Sequence, residues 1–213
     1  MLGRGRLWGL ATAVLIYAAL LPPAGAGPAE MQRVADPKGR FTISFPSDWR
    51  VVRSAEAMPA VLGAAPARAG EVPASVNVVV EDLPKALSAQ AYAQAAGRLL
   101  RDTVQGFAPI QEGATTVAGR PAYYRYYAWR ANTGGAYYQL QLYVTVQKRG
   151  FVVTGSTLYD GQRMRKDVPT LTLILQSFHP TLETHASEVY VPATKPGRHL
   201  NPGSAHPASL VRM

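Results

Sequence analysis

The stretch from Arg120 to Tyr159 constrains the fold of this chain most, because it contains three consecutive β-strand patterns joined by two turn sequences. In the middle pattern, residues 136–148, apolar side chains alternate with polar ones, which is typical of a strand with one buried and one wetter face. The even positions hold Ala136, Tyr138, Leu140, Leu142, Val144 and Val146, and the odd positions include Gln139, Gln141, Thr145 and Gln147. Residues 132–135 predict the first turn, and Arg149-Gly150 predicts the second. We therefore predict an antiparallel three-stranded meander.

Further strands and two helices are predicted around this meander, which makes the fold class α+β, an antiparallel β-sheet with helices packed on it. The predicted strands are 39–46, with Phe41, Ile43 and Phe45 on one side, then 49–52, an additional piece at 61–62, 75–81, and an irregular or bulged strand at 111–120. One helix runs from an N-cap at Ser88 to about Gln105, and a closing helix carries an apolar stripe over 164–178. Pro169 leaves two alternatives for the closing helix: a start near Asp167 or a kink at the proline.

The amino terminus has the residue order of a secretory signal peptide, predicted as residues 1–26. Arg4 and Arg6 precede an apolar run from Leu7 to Leu21, and residues 24–26 (AGA) provide a small-residue cleavage site. We expect an exported protein, periplasmic or extracellular, that begins at Gly27 and has no integral membrane span after processing. The alternative is an uncleaved anchor, although the apolar run is shorter than the roughly 20 residues that a membrane-spanning helix needs.

The carboxyl-terminal residues 181–213 lack the apolar periodicity of a packed element. They contain scattered glycines and the prolines Pro192, Pro196, Pro202 and Pro207. A segment of this composition cannot bury enough apolar surface to offset the entropy of ordering it. We therefore predict a disordered tail, and we assign residues 27–180 to one folded α+β domain.

The composition narrows the class of partner. The chain contains no cysteine, which excludes a disulfide, a thiolate metal site and an acylated lipoprotein cysteine. Its formal net charge is +9, which falls to +7 without residues 1–26, because that segment carries two arginines and no acidic residue. A basic exported protein favours anionic surfaces. The expected partner is a protein or an anionic envelope surface, and not nucleic acid; the sequence does not set the oligomeric state.

The folded domain lacks the usual residues of catalysis. The chain has four histidines, all at or beyond the end of the closing helix: His179, His185, His199 and His206. A Ser-His-Asp triad needs an oriented imidazole and a zinc site normally uses His or Cys, so the domain offers neither. Glu81 and Asp82 are adjacent and point to opposite faces of a strand. We predict no catalytic constellation, no metal and no cofactor, with a carboxylate-based hydrolase or metal-dependent enzyme as the alternative.

The candidate partner-binding residues form two groups. The aromatic group is Tyr123, Tyr124, Tyr126 and Tyr127, and the basic group is Lys148, Arg149, Arg163, Arg165 and Lys166. Core packing is the first interpretation of these tyrosines; because adjacent residues of a strand face opposite ways, some of them lie on the second face of the sheet, where the alternative is a surface for a partner. The sequence leaves open which parity faces the core. We expect the basic residues, which bracket the last hairpin and the closing helix, to gather at one end of the domain.

Five stretches within residues 39–178 together resemble the PsbP-like superfamily, which includes the DcrB-related and LpqN-like bacterial proteins. They are residues 39–49 (GRFTISFPSDW), 76–80 (VNVVV), 117–122 (VAGRPA), 150–154 (GFVVT) and 174–178 (ILQSF). The resemblance implies an antiparallel sheet with helices packed on it in an α-β-α sandwich. This agrees with the order of strands and helices inferred from the residue patterns.

These motif residues are core and turn positions, so the resemblance implies a fold and no site. It also implies a class of roles, because photosynthetic members are extrinsic subunits of the oxygen-evolving complex and other bacterial members are extracytoplasmic proteins. LpqN-like lipoproteins carry an acylated cysteine, whose absence here favours a freely soluble exported form. We therefore expect a non-enzymatic exported binding or assembly factor, with an extrinsic photosystem II-type subunit as a further alternative.

Overall fold

The computed structural model describes residues 30–181, which form ten strands and two helices. The strands are β1 (Met31–Ala35), β2 (Phe41–Pro46), β3 (Arg50–Arg53), β4 (Val61–Ala64), β5 (Ser75–Asp82), β6 (Ala108–Val117), β7 (Arg120–Arg130), β8 (Ala136–Val146), β9 (Arg149–Leu158) and β10 (His179–Pro180). The helices are α1 (Ala89–Thr103) and α2 (Gly161–Gln176). The predicted signal, 1–26, and the predicted tail beyond Thr181 lie outside the described residues. No helix within residues 30–181 has the length and apolar character needed to cross a membrane.

Seven strands form one antiparallel sheet in the order β3-β4-β5-β9-β8-β7-β6. The predicted meander is its largest part, since β7, β8 and β9 are consecutive in the chain and adjacent in the sheet. The strand before the meander is confirmed, but the prediction that it is irregular over 111–120 is wrong: residues 111–117 pair regularly with β7, and the bulge lies before them, between Pro109 and Gln111 of β6. Strand β1 was not predicted; it pairs with β2, which also pairs with β10, to form a separate three-stranded sheet.

The turn between β8 and β9 lies two residues earlier than predicted. Val146 pairs with Arg149, so Gln147 and Lys148 form the turn, and Gln147 adopts a φ of 55°. Gly150 is a strand residue, and a Cβ added to it would lie 2.7 Å from the ring of Tyr92 on α1. The glycine therefore serves close packing of a helix on the sheet, whereas the sequence-based prediction assigned it to the turn.

The main core lies on the side of the sheet covered by α2 and the three-stranded sheet. Phe41 of β2, Phe151 of β9 and Phe178 pack with ring centroids 5.4–6.2 Å apart. The even-numbered side chains of β8 point into the same core. Helix α2 begins after the N-cap Asp160 and continues through Pro169, so it does not begin near Asp167. The apolar residues that β2, β8 and α2 present at their respective periodicities thus converge on one interior.

Helix α1 covers the opposite face, which gives the α-β-α arrangement and confirms the predicted α+β fold class. Ser88 caps this helix by accepting a hydrogen bond from the Ala91 N–H at 3.1 Å, as predicted. The prediction of a wetter face on β8 is wrong at Gln139 and Gln141, which are only 5% and 3% exposed. Their amides remain compatible with burial because both side chains form hydrogen bonds with neighbouring polar side chains.

Candidate functional site

The position of α2 leaves part of the sheet accessible on its own side. The helix packs mainly on β9, with further contacts to β8, β5 and β2. Strands β7 and β6 lie beyond it at one edge of the seven-stranded sheet. The even-numbered side chains of β7 therefore lie at the margin of the covered area, where Tyr124 and Tyr126 are half-buried.

Four tyrosines form a continuous row on this side of the sheet, and we call Tyr124, Tyr126, Tyr138 and Tyr159 the tyrosine row. The ring centroids of Tyr124 and Tyr126 are 5.0 Å apart, and those of Tyr126 and Tyr138 are 6.3 Å apart. Tyr138 stacks on Tyr159 at 6.3 Å, and Tyr159 is 51% exposed. Tyr138 is only 8% exposed, so the row is accessible at Tyr124 and Tyr126 on one side of it and at Tyr159 on the other.

A groove with a volume of about 170 Å³ adjoins the row, between α2 and the β6–β7 hairpin. Tyr124 and Tyr126 line it together with residues of β6, β8 and α2: Thr115, Thr116, Val117, Leu140, Gln141, Leu142, Thr172, Leu175 and Gln176. Among residues 30–181, no charged side chain lines the groove. Its phenol, hydroxyl and amide groups suit hydrogen bonding, and its rings and aliphatic carbons suit apolar contact.

Residues of β6 fix the outer end of the tyrosine row. Gly113 pairs with Tyr124, and a Cβ added to Gly113 would lie 3.1 Å from the tyrosine ring. The Gln111 side-chain amide donates a hydrogen bond to the Tyr124 hydroxyl at 2.9 Å. Burial raises the pKa of Tyr126 and of Tyr138, so both are neutral phenols at physiological pH. The row thus combines aromatic rings with hydroxyl groups and contains no Asp, Glu, Lys, Arg or His side chain.

The odd-numbered tyrosines of β7 belong to the core and not to an accessible surface. Tyr123 and Tyr127 are 7% and 2% exposed on the α1 side of the sheet. The Tyr127 hydroxyl donates a hydrogen bond to the Gln139 side-chain carbonyl. Of the four tyrosines predicted to contact a partner, the structure therefore brings only Tyr124 and Tyr126 together at an accessible site.

Between these two buried tyrosines lies Arg125, which organises a polar network beneath α1. Its Nε atom donates to Glu112 Oε2 at 2.6 Å, and its Nη1 atom donates to the Ala93 carbonyl at 2.9 Å and to the Tyr143 hydroxyl at 3.2 Å. Burial disfavours the charge on Arg125, but Tyr143 and Glu112 outweigh it and raise the pKa of the guanidinium. Arg125 is 2% exposed, so its guanidinium stabilises the fold and is itself closed to a partner.

The predicted basic group is divided between the two ends of the sheet, so the expectation that it gathers at one end is wrong. Lys148 and Arg149 lie at the β8–β9 turn, where Arg149 pairs with Asp82. Arg163 donates a hydrogen bond to the Val72 carbonyl at 2.7 Å, beside the beginning of β5. The ten residues of β9 separate these positions by about 30 Å, at roughly 3.3 Å per residue.

The basic residues also differ in accessibility. Arg163 lies 3.8 Å from Glu71 and 3.4 Å from Asp167, so carboxylates of the same domain neutralise it. Arg165 and Lys166 are exposed on α2. The prediction that the basic residues gather failed because β9 runs from one end of the sheet to the other. Lys148 and Arg149 lie at its beginning, and Arg163 follows its end.

The carboxylates of β5 point to opposite faces, as predicted. Glu81 accepts a hydrogen bond of 2.8 Å from the Tyr92 hydroxyl beneath α1, and burial raises its pKa despite that bond. Asp82 lines a separate groove with Lys148 and Arg149. Within residues 30–181, no three His, Asp or Glu side chains come together in an arrangement that could hold a metal ion. The tyrosine row and its groove are therefore the best candidate site in the described part of the chain.

Sequence reasoning missed the extent of this site. Tyr159 follows β9 and showed no pattern of its own, and Tyr138, although part of the aromatic cluster in the sequence, was not among the residues predicted to bind a partner. Tyr138 joins the row because it pairs with Ala128, two residues from Tyr126 on the same face of β7, and Tyr159 joins it because it follows Leu158, which pairs with Tyr137. Gly113 and Gln111 owe their roles to the β6–β7 pairing. These residues could have been identified only from the register of strand pairing, which a single sequence does not supply.

Comparisons with known proteins support the fold. No protein-family model and no curated protein sequence matches the chain. Among solved structures, cyanobacterial PsbP (CyanoP) from Synechocystis sp. PCC 6803 is similar, with a TM-score of 0.55, 20% sequence identity and coverage of 76% of this chain and 99% of that one. LpqN of Mycobacterium tuberculosis, which is involved in cell envelope biogenesis, has a TM-score of 0.52 at 16% identity, covering 73% of this chain and 93% of LpqN.

A third similar structure is the Ran-binding protein Mog1p of Saccharomyces cerevisiae. Its TM-score is 0.50 at 11% identity, and the alignment covers 71% of this chain and 96% of Mog1p. At such low identities these similarities show the fold alone. They confirm the resemblance inferred from the five sequence stretches: the chain has the PsbP-like fold, an antiparallel sheet with helices on both faces.

Proposed function

We propose that this chain is an exported, non-enzymatic binding or accessory protein that docks a protein partner on the tyrosine row and the adjoining groove. The observation that carries the proposal is the run of four contacting tyrosine rings, in which Tyr124 and Tyr126 are half-buried, Tyr138 is buried and Tyr159 is exposed. Tyrosine is enriched in protein interfaces because a rigid ring supplies a large contact area while its hydroxyl still forms hydrogen bonds.

The similar structures fit a binding role without naming a partner for this chain. Mog1p is a Ran-binding protein, and LpqN is involved in cell envelope biogenesis. The similarity to cyanobacterial PsbP is one of fold and does not single out a photosystem partner. Export rests on the order of residues within 1–26. A secreted species whose intact mass begins at Gly27 supports this part of the proposal, whereas a membrane-bound species retaining residues 1–26 contradicts it.

Docking to an anionic surface through one basic end is less well supported by the structure. The two halves of the basic group lie at opposite ends of the sheet, and Arg163 is engaged by Glu71, Asp167 and the Val72 carbonyl. The tyrosine row also carries no charge. The proposed contact is therefore expected to persist when salt screens electrostatic attraction.

The proposal is tested by purifying the tagged full-length protein from its native envelope with and without the row. We expect the variant Tyr124→Ser/Tyr159→Ser to lose its co-purifying partner, because each tyrosine in the centre of an interface contributes about 2 kcal/mol, roughly 30-fold in Kd. The matched control is Gln94→Ser/Arg98→Ser, on the exposed face of α1.

Equal recovery of the same partner by wild type, row variant and control would contradict docking on the tyrosine row. If the partner is lost only when Lys148, Arg149, Arg165 and Lys166 are replaced, the basic residues carry binding instead. Thermal melts followed by circular dichroism check that each variant folds. We expect the row variant to fold, because the Tyr124 hydroxyl and the Tyr159 ring are exposed.

A further inference from the structure

The two edges of the seven-stranded sheet differ in how well they are protected from pairing with another strand. Edge strand β3 has only four residues and carries Arg50 and Arg53 at its ends. Short length and charged side chains are the usual means of preventing edge-to-edge association. The opposite edge, β6, is ten residues long, and eight of these residues are exposed. Among residues 30–181 it pairs only with β7.

Strand β6 presents almost no repulsive charge at this edge. Its single charged residue is Glu112, and Arg125 neutralises that carboxylate across the pairing with β7 at 2.6 Å. The bulge between Pro109 and Gln111 protects only the first part of the strand. Residues 111–117 keep a regular register with β7 and contain neither proline nor lysine nor arginine. This stretch, about 23 Å long, is an open template for a further strand.

We propose that residues 111–117 pair antiparallel with the same residues of a second copy of this chain, forming a two-fold symmetric dimer with a continuous sheet. Ala114 is the midpoint of the regular stretch, so a register in which it faces Ala114 of the second copy uses all seven residues of both strands. The choice of a second copy as the occupant rests on the self-compatibility of this stretch, since its single charged residue, Glu112, does not face its own symmetry mate in this register.

The side chains are compatible with this register. Ala114 meets its own symmetry mate, Gly113 meets Thr115, and Glu112 meets Thr116, so no like charges face each other and no bulky pair collides. The exposed Ile110, at 50%, flanks the seam and adds apolar contact. Because the two-fold axis runs perpendicular to the sheet, the tyrosine rows of both copies lie on the same side of the dimer.

Sedimentation of the full-length protein over about 1 μM to 1 mM tests the association, since edge pairing of this size makes a weak interface. We expect the average mass to rise from that of the monomer towards twice that value. A wild-type chain that stays monomeric over the whole range overturns the proposal and leaves the edge to an extended segment of a different protein.

A charge-swap experiment tests the register. Ala114→Lys and Ala114→Glu each place like charges directly opposite each other across the axis, so each variant alone should show a Kd raised roughly tenfold or more. Mixing the two variants should restore association, because lysine then faces glutamate. Gln94→Lys and Gln94→Glu, on the exposed face of α1, are the matched controls and should dimerise as wild type does.

Association of Ala114→Lys with the wild-type Kd overturns the proposal, and so does failure of the mixture to associate more tightly than either variant alone. The mixing step also separates repulsion from misfolding, because a variant that does not fold cannot be rescued by its opposite charge. Ala114 is exposed and belongs to neither the tyrosine row nor its groove, so the outcome is independent of the proposed partner site.

Discussion

At the level of single residues, Arg125 explains why α1 carries a glycine in its middle. The guanidinium rests against Gly97, where an added Cβ would lie 2.7 Å from Nη2 and 2.8 Å from Nη1. Bonds to Glu112, the Ala93 carbonyl and Tyr143 hold the guanidinium in place, and its plane also lies over the Tyr143 ring, 5.5 Å from the centroid. These contacts fix the position of the guanidinium against Gly97.

We therefore predict that Gly97→Ala destabilises the protein by about 1–2 kcal/mol, because overpacking outweighs the gain in helix propensity. In an ordinary helix the same change stabilises by up to about 1 kcal/mol, so the sign is diagnostic. Urea unfolding measures it. Combining the change with Arg125→Met should reduce its cost; a neutral or stabilising Gly97→Ala would show that the guanidinium is not fixed there.

Glu81 predicts a pH dependence of stability. Burial raises its pKa above the ordinary value of 4.5 in the folded state, even though the Tyr92 hydroxyl donates to it. A raised folded-state pKa gives stability that is present below the unfolded value and is lost as pH rises through the folded value. In the Glu81→Gln variant the side chain is neutral at every pH and still accepts a hydrogen bond from the Tyr92 hydroxyl. The melting temperature of this variant minus that of the wild type should therefore increase from pH 4 to pH 7.

The control for this experiment is Asp82→Asn, since the neighbouring Asp82 side chain is 87% exposed. Asp82→Asn also removes one carboxylate charge, but this carboxylate is exposed and not buried, so we expect no comparable pH-dependent gain. A melting-temperature difference between Glu81→Gln and wild type that is constant with pH, or that shrinks as pH rises, would be incompatible with a buried Glu81 carboxyl.

At the level of strands and turns, the β6–β7 hairpin has an unusual turn composition. Ala118 and Gly119 have φ values of 49° and 72°, and Val117 pairs with Arg120, as in a two-residue type I′ turn. An alanine in the left-handed region costs about 1–2 kcal/mol, whereas asparagine tolerates it and Asn-Gly is the preferred pair. The hairpin that ends at the proposed dimer edge thus contains a local strain.

Ala118→Asn should therefore stabilise the protein by about 0.5–1 kcal/mol, measured as a higher urea midpoint at an unchanged slope. Gly119→Ala is the opposing control and should lower the midpoint, because its φ of 72° disfavours a side chain although nothing lies within 4 Å of an added Cβ. If both substitutions leave the midpoint unchanged, the turn does not hold this conformation in solution.

Much of this fold was predictable at the level of elements, and the errors have a common physical cause. Alternation located β8, and capping at Ser88 located α1, because both signals are local. The buried Gln139 and Gln141, the role of Gly150 and the split of the basic group depend on which helix covers which face and where β9 ends. The tyrosine row depends on the same long-range pairing, so its half at Tyr138 and Tyr159 was not predicted.

At the level of the whole molecule, Thr181 follows the last strand, and its N–H donates a hydrogen bond to the Arg40 carbonyl at 2.8 Å. The sequence beyond it has no apolar periodicity. We predict that deleting residues 183–213 changes the free energy of unfolding by less than about 1 kcal/mol, the range of surface changes. Thermal or urea unfolding of the shortened chain checks this, and a larger loss would mean that the segment contributes to the folded domain.

The whole molecule also determines where a partner has access. Helix α1 covers Tyr123 and Tyr127 of β7 on one face of the sheet. On the other face, α2 and the three-stranded sheet cover the main core. The tyrosine row is left at the margin between α2 and the exposed edge strand β6. A partner on the row and a second copy at the β6 edge would therefore lie next to each other, and both need the accessible margin formed by β7 and β6.

Site-specific photocrosslinking in the native envelope tests the central claim most directly. A photoreactive phenylalanine analogue replaces Tyr124 in one variant, Tyr159 in a second and exposed Arg98 of α1 in a third. We predict that the first two yield the same discrete crosslinked protein and that the third yields none. Crosslinks from Arg98 alone, or no crosslinked protein from either tyrosine position, would contradict the claim that the tyrosine row binds a protein partner.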